Sequence, residues 1–194
     1  MTADEALVAV IDALEHLGSP YVLVGSLATN FHGIPRSTRD ADIVVAIEAS
    51  TIERLAARLV PALRIQPQTS FETVTGTIRH IIEVQGSPFV IELFGCSDDP
   101  HDIARLERRQ RVQLLDHQTW VLTAEDVVIT KLRWGQHPNR SKDLDDARNV
   151  LAVRHGDLDL AYIRRWCADH GTTADLDRLL PSLPRRTHLD SFAI

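Results

Sequence analysis

Lysine is nearly missing from this chain: only Lys131 and Lys142 stand among 21 basic residues, and arginine supplies the rest. Cysteine is equally sparse. Cys96 and Cys167 are far apart in sequence and lack metal-ligand spacing, which excludes a thiolate zinc site and a disulfide framework. The N-terminus is acidic at Asp4 and Glu5 and has no basic segment of the secretory kind. These features together predict reduced thiols in a cytoplasmic protein. No apolar run approaches the roughly 18 residues of a membrane span, so the expectation is a soluble protein without a membrane partner. An excess of positive charge is missing too. The net charge of -6 argues against a broad phosphate-tracking surface. Arg105, Arg108, Arg109 and Arg111 form one local basic cluster, read here as a solvated helix face with a local nucleic-acid groove as the other reading. There is no internal repeat, no low-complexity segment, no Walker loop, no G-x-S-x-G and no H-E-x-x-H.

What is present suits an α/β protein. The 194 residues are 44% apolar and 25% charged, enough for a core and ordinary for a folded domain. A capping box at Thr2–Glu5 opens a helix whose apolar face is Leu7, Val10, Ile11 and Leu14, ended by Gly18-Ser-Pro20. Tyr21 to Val24 reads as a buried strand, followed by a short helix over Ser26–His32 with Ser26 at its N-cap. Residues 33–39 form a loop and Asp40–Ile47 a second strand. Ser50–Glu53 is a second capping box, before a helix with Ile52, Leu55, Ala56 and Leu59 on one face. Strands are expected around Thr77–Val84 and Phe89–Phe94, with Gly86-Ser-Pro88 turning between them. From Thr123 onward the pattern is helical. One helix is capped by Thr123 and ends near Gly135, and a second spans Asp143–Arg154. A third is capped by Asp157 and reaches about His170, and a weaker one lies at Ala174–Leu180. The fold class is thus α/β, a sheet flanked by helices over residues 1–120, a C-terminal helical extension over 121–183, and a loose tail at 184–194.

The chemistry gathers on a few residues. Asp40 and Asp42 are one residue apart in a strand, so both carboxylates face one side, ~6.6 Å apart along it. Two like charges on one face call for a cation, and hard oxygen ligands suit magnesium bridging to phosphates. Glu92 interrupts the apolar run Phe89–Phe94. It is either a third carboxylate of that site or a solvent-facing residue of an edge strand. Gly25-Ser26 follows a strand and opens a helix, where free backbone N–H groups bind phosphate and glycine permits close approach. Lys131 falls between Val127 and Val128 on the helical wheel, inside the apolar arc. It is a compact charge reaching a phosphate or a snorkelling side chain. Asp143 shares a face with Ala147 and Val150. It either joins the site or, with Asp145 and Asp146, complements a helix dipole.

The run from Val24 to Asp42, with Gly25-Ser26 before Arg36-Ser-Thr-Arg-Asp40-Ala-Asp42, resembles the nucleotidyltransferase superfamily typified by DNA polymerase beta. More narrowly it looks like bacterial AbiEii-type nucleotidyltransferases, toxins of toxin–antitoxin and abortive-infection systems. Lys131 and Arg140-Ser-Lys-Asp143 stand where that pattern has its later lysine and Arg-x-x-Asp stretch, and Glu92 stands where members often carry Asp. Many such toxins are longer than this chain. The resemblance implies a nucleotidyltransferase-like mixed sheet, with the helical extension completing the site. It implies a Mg²⁺-dependent enzyme that moves a nucleoside monophosphate from an NTP to an acceptor hydroxyl and releases pyrophosphate. Asp40, Asp42, Glu92 and Lys131 would be catalytic, with two ions on the three carboxylates and Gly25, Ser26, Arg36, Lys131, Arg140 and Asp143 at the nucleotide. The implied acceptor is RNA, the 3′ end of a tRNA, with a cognate antitoxin as protein partner. An antitoxin-type enzyme modifying a partner protein, a small-molecule acceptor, a non-catalytic binding module and a metal phosphohydrolase are the alternatives. His32 is read as a structural residue.

Overall fold

The computed structural model describes residues 1–46, 50–72 and 76–183. The chain divides into two compact units, one of Met1–Phe31 with Pro35–Thr123 and one of His32–Ile34 with Ala124–Ile194.

The first unit begins with α1, Ala3–Leu17. Its capping box is reciprocal: the Thr2 hydroxyl accepts from the Glu5 N–H, and the Glu5 carboxylate accepts from the Thr2 N–H. Gly18, at φ +65°, ends the helix in the left-handed conformation. Ala6, Leu7, Val10, Ile11 and Leu14 are buried, as their spacing predicts.

The sheet of this unit is mixed and eight-stranded. Its strands are β1 (Tyr21–Leu23), β2 (Asp40–Val45), β3 (Leu63–Ile65), β4 (Ser70–Glu72), β5 (Thr77–Val84), β6 (Val90–Gly95), β7 (Gln110–Leu114) and β8 (His117–Val121). They run in the order β3-β5-β6-β2-β1-β8-β7, with β4 paired to β5. β2 is central, antiparallel to β1 and parallel to β6. Ala41, Ile43, Val45, Ile91 and Leu93 are buried to 1% exposure or less, so one face of β2 and β6 is core. Each such side chain contributes roughly 1.5–3 kcal/mol when a Val, Leu or Ile is fully buried. The helices of this unit are α2 (Gly25–His32, its last residue grouped with the second unit), α3 (Thr51–Ala56) and α4 (Pro100–Glu107).

Several expectations need correction. Ser50 makes no side-chain cap to α3, because its backbone is already helical rather than extended. α2 starts at Gly25, so Ser26 lies inside its first turn. The sequence pattern does not announce β3, β4, β7, β8 or α4: the strands are short, and their half-exposed alternation leaves little periodic signal. Ile47, and the tail at 184–194, lie outside the described residues.

The second unit is helical: α5 (Ala124–Gly135), α6 (Ser141–Val153), α7 (Leu160–His170) and α8 (Thr173–Leu179). Val127, Val128, Ile129 and Leu132 are buried with Ala147, Val150, Leu151, Ile163, Cys167 and Leu176. At Gly135 a Cβ would fall 2.5 Å from a Leu144 methyl carbon, so glycine is what admits α6 against the end of α5. The cap of α7 is Asp159, accepting from the Tyr162 N–H, two residues beyond the expected Asp157. Among the described residues, no helix is long and apolar enough to cross a membrane. Both cysteines are free, and burial pushes both thiols up from their ordinary value.

Candidate active site

Period-two alternation in β2 buries Ala41 and Ile43 and leaves Asp40 and Asp42 half-buried on the opposite face. The backbone N–H of Val24 donates to the Asp42 carbonyl at 2.9 Å, which ties the Gly25 turn to this strand. Gly25 sits at φ +55°, and a Cβ there would lie 1.8 Å from Asp42 Oδ2 and 2.7 Å from its Cγ. Glycine is therefore required twice, for the left-handed backbone and for the space that the Asp42 carboxylate occupies. The start of α2 and the Asp42 carboxylate meet with no side chain between them.

The loop after α2 is tied back onto that helix. The Asn30 side chain donates to the Arg36 carbonyl at 2.7 Å and accepts from the Arg36 N–H at 3.0 Å. Arg36 then extends its guanidinium to donate to Ser26 Oγ at 3.1 Å. The Thr29 hydroxyl donates to the Gly25 carbonyl at 2.9 Å. Thr38 donates to Asp40 Oδ1 at 2.7 Å, orienting that carboxylate. Gly25, Ser26, Arg36, Asp40 and Asp42 are thus organised within one unit.

Glu92 is opposite Asp42 in the parallel β2–β6 register, so the two share a face. β6 lies between β5 and β2 and is not an edge strand, which removes the solvent-edge reading. Its carboxylate is engaged by Arg79 of β5, whose Nη1 donates to Oε1 and Oε2, each at 3.2 Å. Arg79 is itself anchored by Nε donating to Ser70 Oγ at 2.9 Å. Among the described residues, no group of three His, Cys, Asp or Glu is placed to hold a metal ion. Magnesium commonly takes one or two protein carboxylates and completes its shell with water and phosphate. Asp40 and Asp42 fit that donor set, with Asp42 against a glycine that a Cβ would foul. Glu92 fits it less well while Arg79 holds both of its oxygens.

Lys131, Arg140 and Asp143 belong to the second unit. The Lys131 ammonium lies 2.7 Å from Asp143 and 2.9 Å from Asp146, with all three side chains less than a tenth exposed. This settles how a lysine stands in an apolar arc: the charge is paired, not snorkelling. Asp143 is a buried ion-pair partner and not a solvated dipole complement. Arg140 makes a close ion contact with Asp143 at 2.7 Å and lies over the Trp134 ring at 4.4 Å. His32, 2% exposed, accepts through Nδ1 from Arg154, in keeping with a structural residue.

The basic cluster divides. Arg105 is buried against Asp102 at 2.9 Å, while Arg109 and Arg111 stack on Trp120 at 4.6 and 5.1 Å. It is therefore not one solvated helix face: α4 ends at Glu107 and the chain re-enters as β7. Asn30, Thr38 and Arg79 are the site residues that sequence reasoning missed. Asn30 had a weak signal, one helical turn from Ser26 on the same face; Arg79 had none.

A family model described as "Nucleotidyl transferase AbiEii toxin, Type IV TA system" matches residues 7–192. No curated protein matches the sequence. Among solved structures, a putative nucleotidyltransferase from H. pylori is similar at a TM-score of 0.55 and 16% identity, covering 92% of this chain and 78% of that one. ANT(2″)-Ia in complex with adenylyl-2″-tobramycin is similar at 0.61 and 11% identity, covering 90% and 99%. JHP933 from H. pylori is similar at 0.53 and 18% identity, covering 94% and 83%. The mixed sheet flanked by helices is a nucleotidyltransferase fold.

Proposed function

The chain belongs to the AbiEii nucleotidyltransferase family and is a nucleotidyltransferase, and on that footing we propose that it is a Mg²⁺-dependent toxin that transfers NMP to tRNA in the cytoplasm. The observation that carries the metal-dependent reading is the approach of the Asp42 carboxylate to Gly25 at the start of α2. A glycine-led helix start beside a strand carboxylate supports this reading, because helix N-termini suit phosphate and paired carboxylates suit a hard cation. The toxin role and a cognate antitoxin partner are supported by the family's description. The tRNA 3′ end as acceptor is supported by the family resemblance of the Val24–Asp42 run.

In this reading the backbone N–H groups at Gly25 and Ser26 hold the β- and γ-phosphates. Arg36, fixed by Asn30, adds positive charge and positions Ser26 Oγ. Asp40 and Asp42 would hold Mg²⁺, which when bound supplies charge neutralisation for the triphosphate and the departing pyrophosphate. The acceptor oxygen forms a bond to the α-phosphorus as the bond from that phosphorus to the β-phosphate oxygen breaks. The acceptor proton leaves to a carboxylate of this face, and pyrophosphate carries away the electron pair.

The test is incubation of the pure protein with each labelled NTP, Mg²⁺ and total cellular RNA, beside Asp40→Ala/Asp42→Ala. Label on small RNA with the wild type alone is the expected result, and omission of Mg²⁺ abolishes it. Label on protein instead would move the acceptor to a partner protein and overturn the tRNA assignment. Equal label from the double variant would overturn the site.

A further inference from the structure

The loop between α2 and β2 delivers a hydroxyl to the carboxylate that opens β2. Both backbone groups of Arg36 are held by the Asn30 side chain, at 2.7 and 3.0 Å, so Thr38 follows a fixed point by only two residues. Thr38 is half-buried, and its β-branched side chain has few rotamers open to it. Its hydroxyl faces two acceptors on Asp40: the carboxylate Oδ1 at 2.7 Å and the backbone carbonyl at 3.0 Å. One proton serves both, and the shorter, charge-assisted bond to Oδ1 takes the larger share of it. In the other direction the Asp40 N–H lies 3.5 Å from Thr38 Oγ1, too long to fix the residue by itself. The two carboxylate oxygens of Asp40 are therefore unlike. Oδ1 accepts a hydroxyl proton, and that bond also sets how the carboxylate is turned.

We propose that Thr38 makes Asp40 a one-oxygen ligand that offers Oδ2 to a divalent cation, and so tilts the site toward magnesium and away from calcium. A cation held by both oxygens draws on the negative charge of both, and on Oδ1 part of that charge already answers the hydroxyl. Calcium gains most from two-oxygen binding, because it takes about six to eight oxygens in a flexible shell. Magnesium takes single oxygens in a tight octahedron and completes its shell with water and phosphate. Ligand number and rigidity are what separate the two ions, and one loop hydroxyl controls both at Asp40. Thr38 acts through the carboxylate and is a positioning residue. The inference deepens the proposed function and rests on Asp40 as a cation ligand there.

The experiment is titration of the full chain with Mn²⁺, read by electron paramagnetic resonance, followed by displacement with Mg²⁺ and with Ca²⁺. Thermal melts check the fold of each variant. Wild type binds Mn²⁺, and Asp40→Asn weakens it by about tenfold or more. Thr38→Val keeps the shape and loses the hydroxyl, and it moves the ratio of Mg²⁺ to Ca²⁺ affinity toward Ca²⁺ by about tenfold. Thr38→Ser keeps the hydroxyl and holds that ratio within about threefold of wild type. A merely structural threonine would change both affinities together and leave the ratio where it was. An unchanged ratio in folded Thr38→Val would overturn the inference, and so would a Thr38→Ser ratio equal to that of Thr38→Val. If Thr38→Val fails to fold, Thr38→Ala makes the same comparison. Mn²⁺ binding that is absent from the wild type, or that survives Asp40→Asn, would instead overturn the cation assignment of the proposed function, and this inference with it.

Discussion

The β2 carboxylates and the α5–α6 charge cluster use the same side-chain types to opposite ends. In the helical unit, Lys131 and Arg140 face Asp143 and Asp146, two cations against two anions, and Asp143 is 1% exposed. Such a set is neutral within itself, and each member depends on the others once water has been removed. In the sheet unit, Asp40 and Asp42 are both negative, half-buried and on one strand face. Their neighbours orient them through a hydroxyl and a vacant glycine Cβ position. One arrangement answers buried charge with opposite charge inside the helical unit; the other sets two carboxylates side by side on one strand face.

The contrast can be broken by neutralising one residue on each side. The largest effect is expected for Asp42→Asn, which lowers transfer by about a thousandfold or more while shifting unfolding free energy by less than about 1 kcal/mol. Labelled-NTP assays beside urea denaturation read both quantities. Equal losses of stability and activity would show that Asp42 is structural.

Next is Lys131→Met, which leaves Asp143 and Asp146 buried without their lysine. Removing one partner of a buried ion pair costs about 3–5 kcal/mol, measured by the same denaturation. If the variant melts like wild type but loses nucleotide affinity, Lys131 is a phosphate contact and the two regions are alike in purpose.

Gly25→Ala comes third. It forces a left-handed backbone on alanine and drives its Cβ into Asp42, costing roughly 1–3 kcal/mol and disabling transfer in the fraction that folds. Wild-type transfer in a folded Gly25→Ala would show that the Asp42 side chain can move aside without loss of function.

The smallest effect lies in the frame of the sheet unit. The Tyr21 phenol is pushed up to about 12, first by burial and then by its hydrogen bond to Glu15, with Thr119 pulling the other way. A raised phenol contributes stability that is complete below the unfolded value of about 10 and is lost as pH rises through the folded value. The stability difference between wild type and Tyr21→Phe should therefore narrow, or change in favour of phenylalanine, between pH 10 and 12. A difference independent of pH over that window would show that Tyr21 titrates as freely in the fold as in the unfolded chain.

Much of this site is legible in the amino-acid sequence. Gly25-Ser26 and Asp40-Ala-Asp42 declare themselves because both depend on neighbours one or two residues away: a turn that excludes a Cβ, and a strand that alternates its faces. The long helices α1, α5, α6 and α7 are readable for the same reason, since their buried positions recur within a single turn. The short strands β3, β4, β7 and β8 are not, because three to five half-exposed residues acquire strand geometry only from a partner. Ser50 shows the converse: a capping-box pattern makes no cap where the backbone enters the helix already in the helical region.

The sequence by itself determined that two carboxylates share a face, that a glycine turn precedes a helix, and that a lysine stands in an apolar arc. Only the tertiary structure decided what answers each charge. Arg79 reaches Glu92 from 13 residues away, and Lys131 meets Asp143 across 12. Such partners are set by strand register and helix packing. Those follow from burying Ile91, Leu93, Val128 and Leu132, residues that carry no charge themselves.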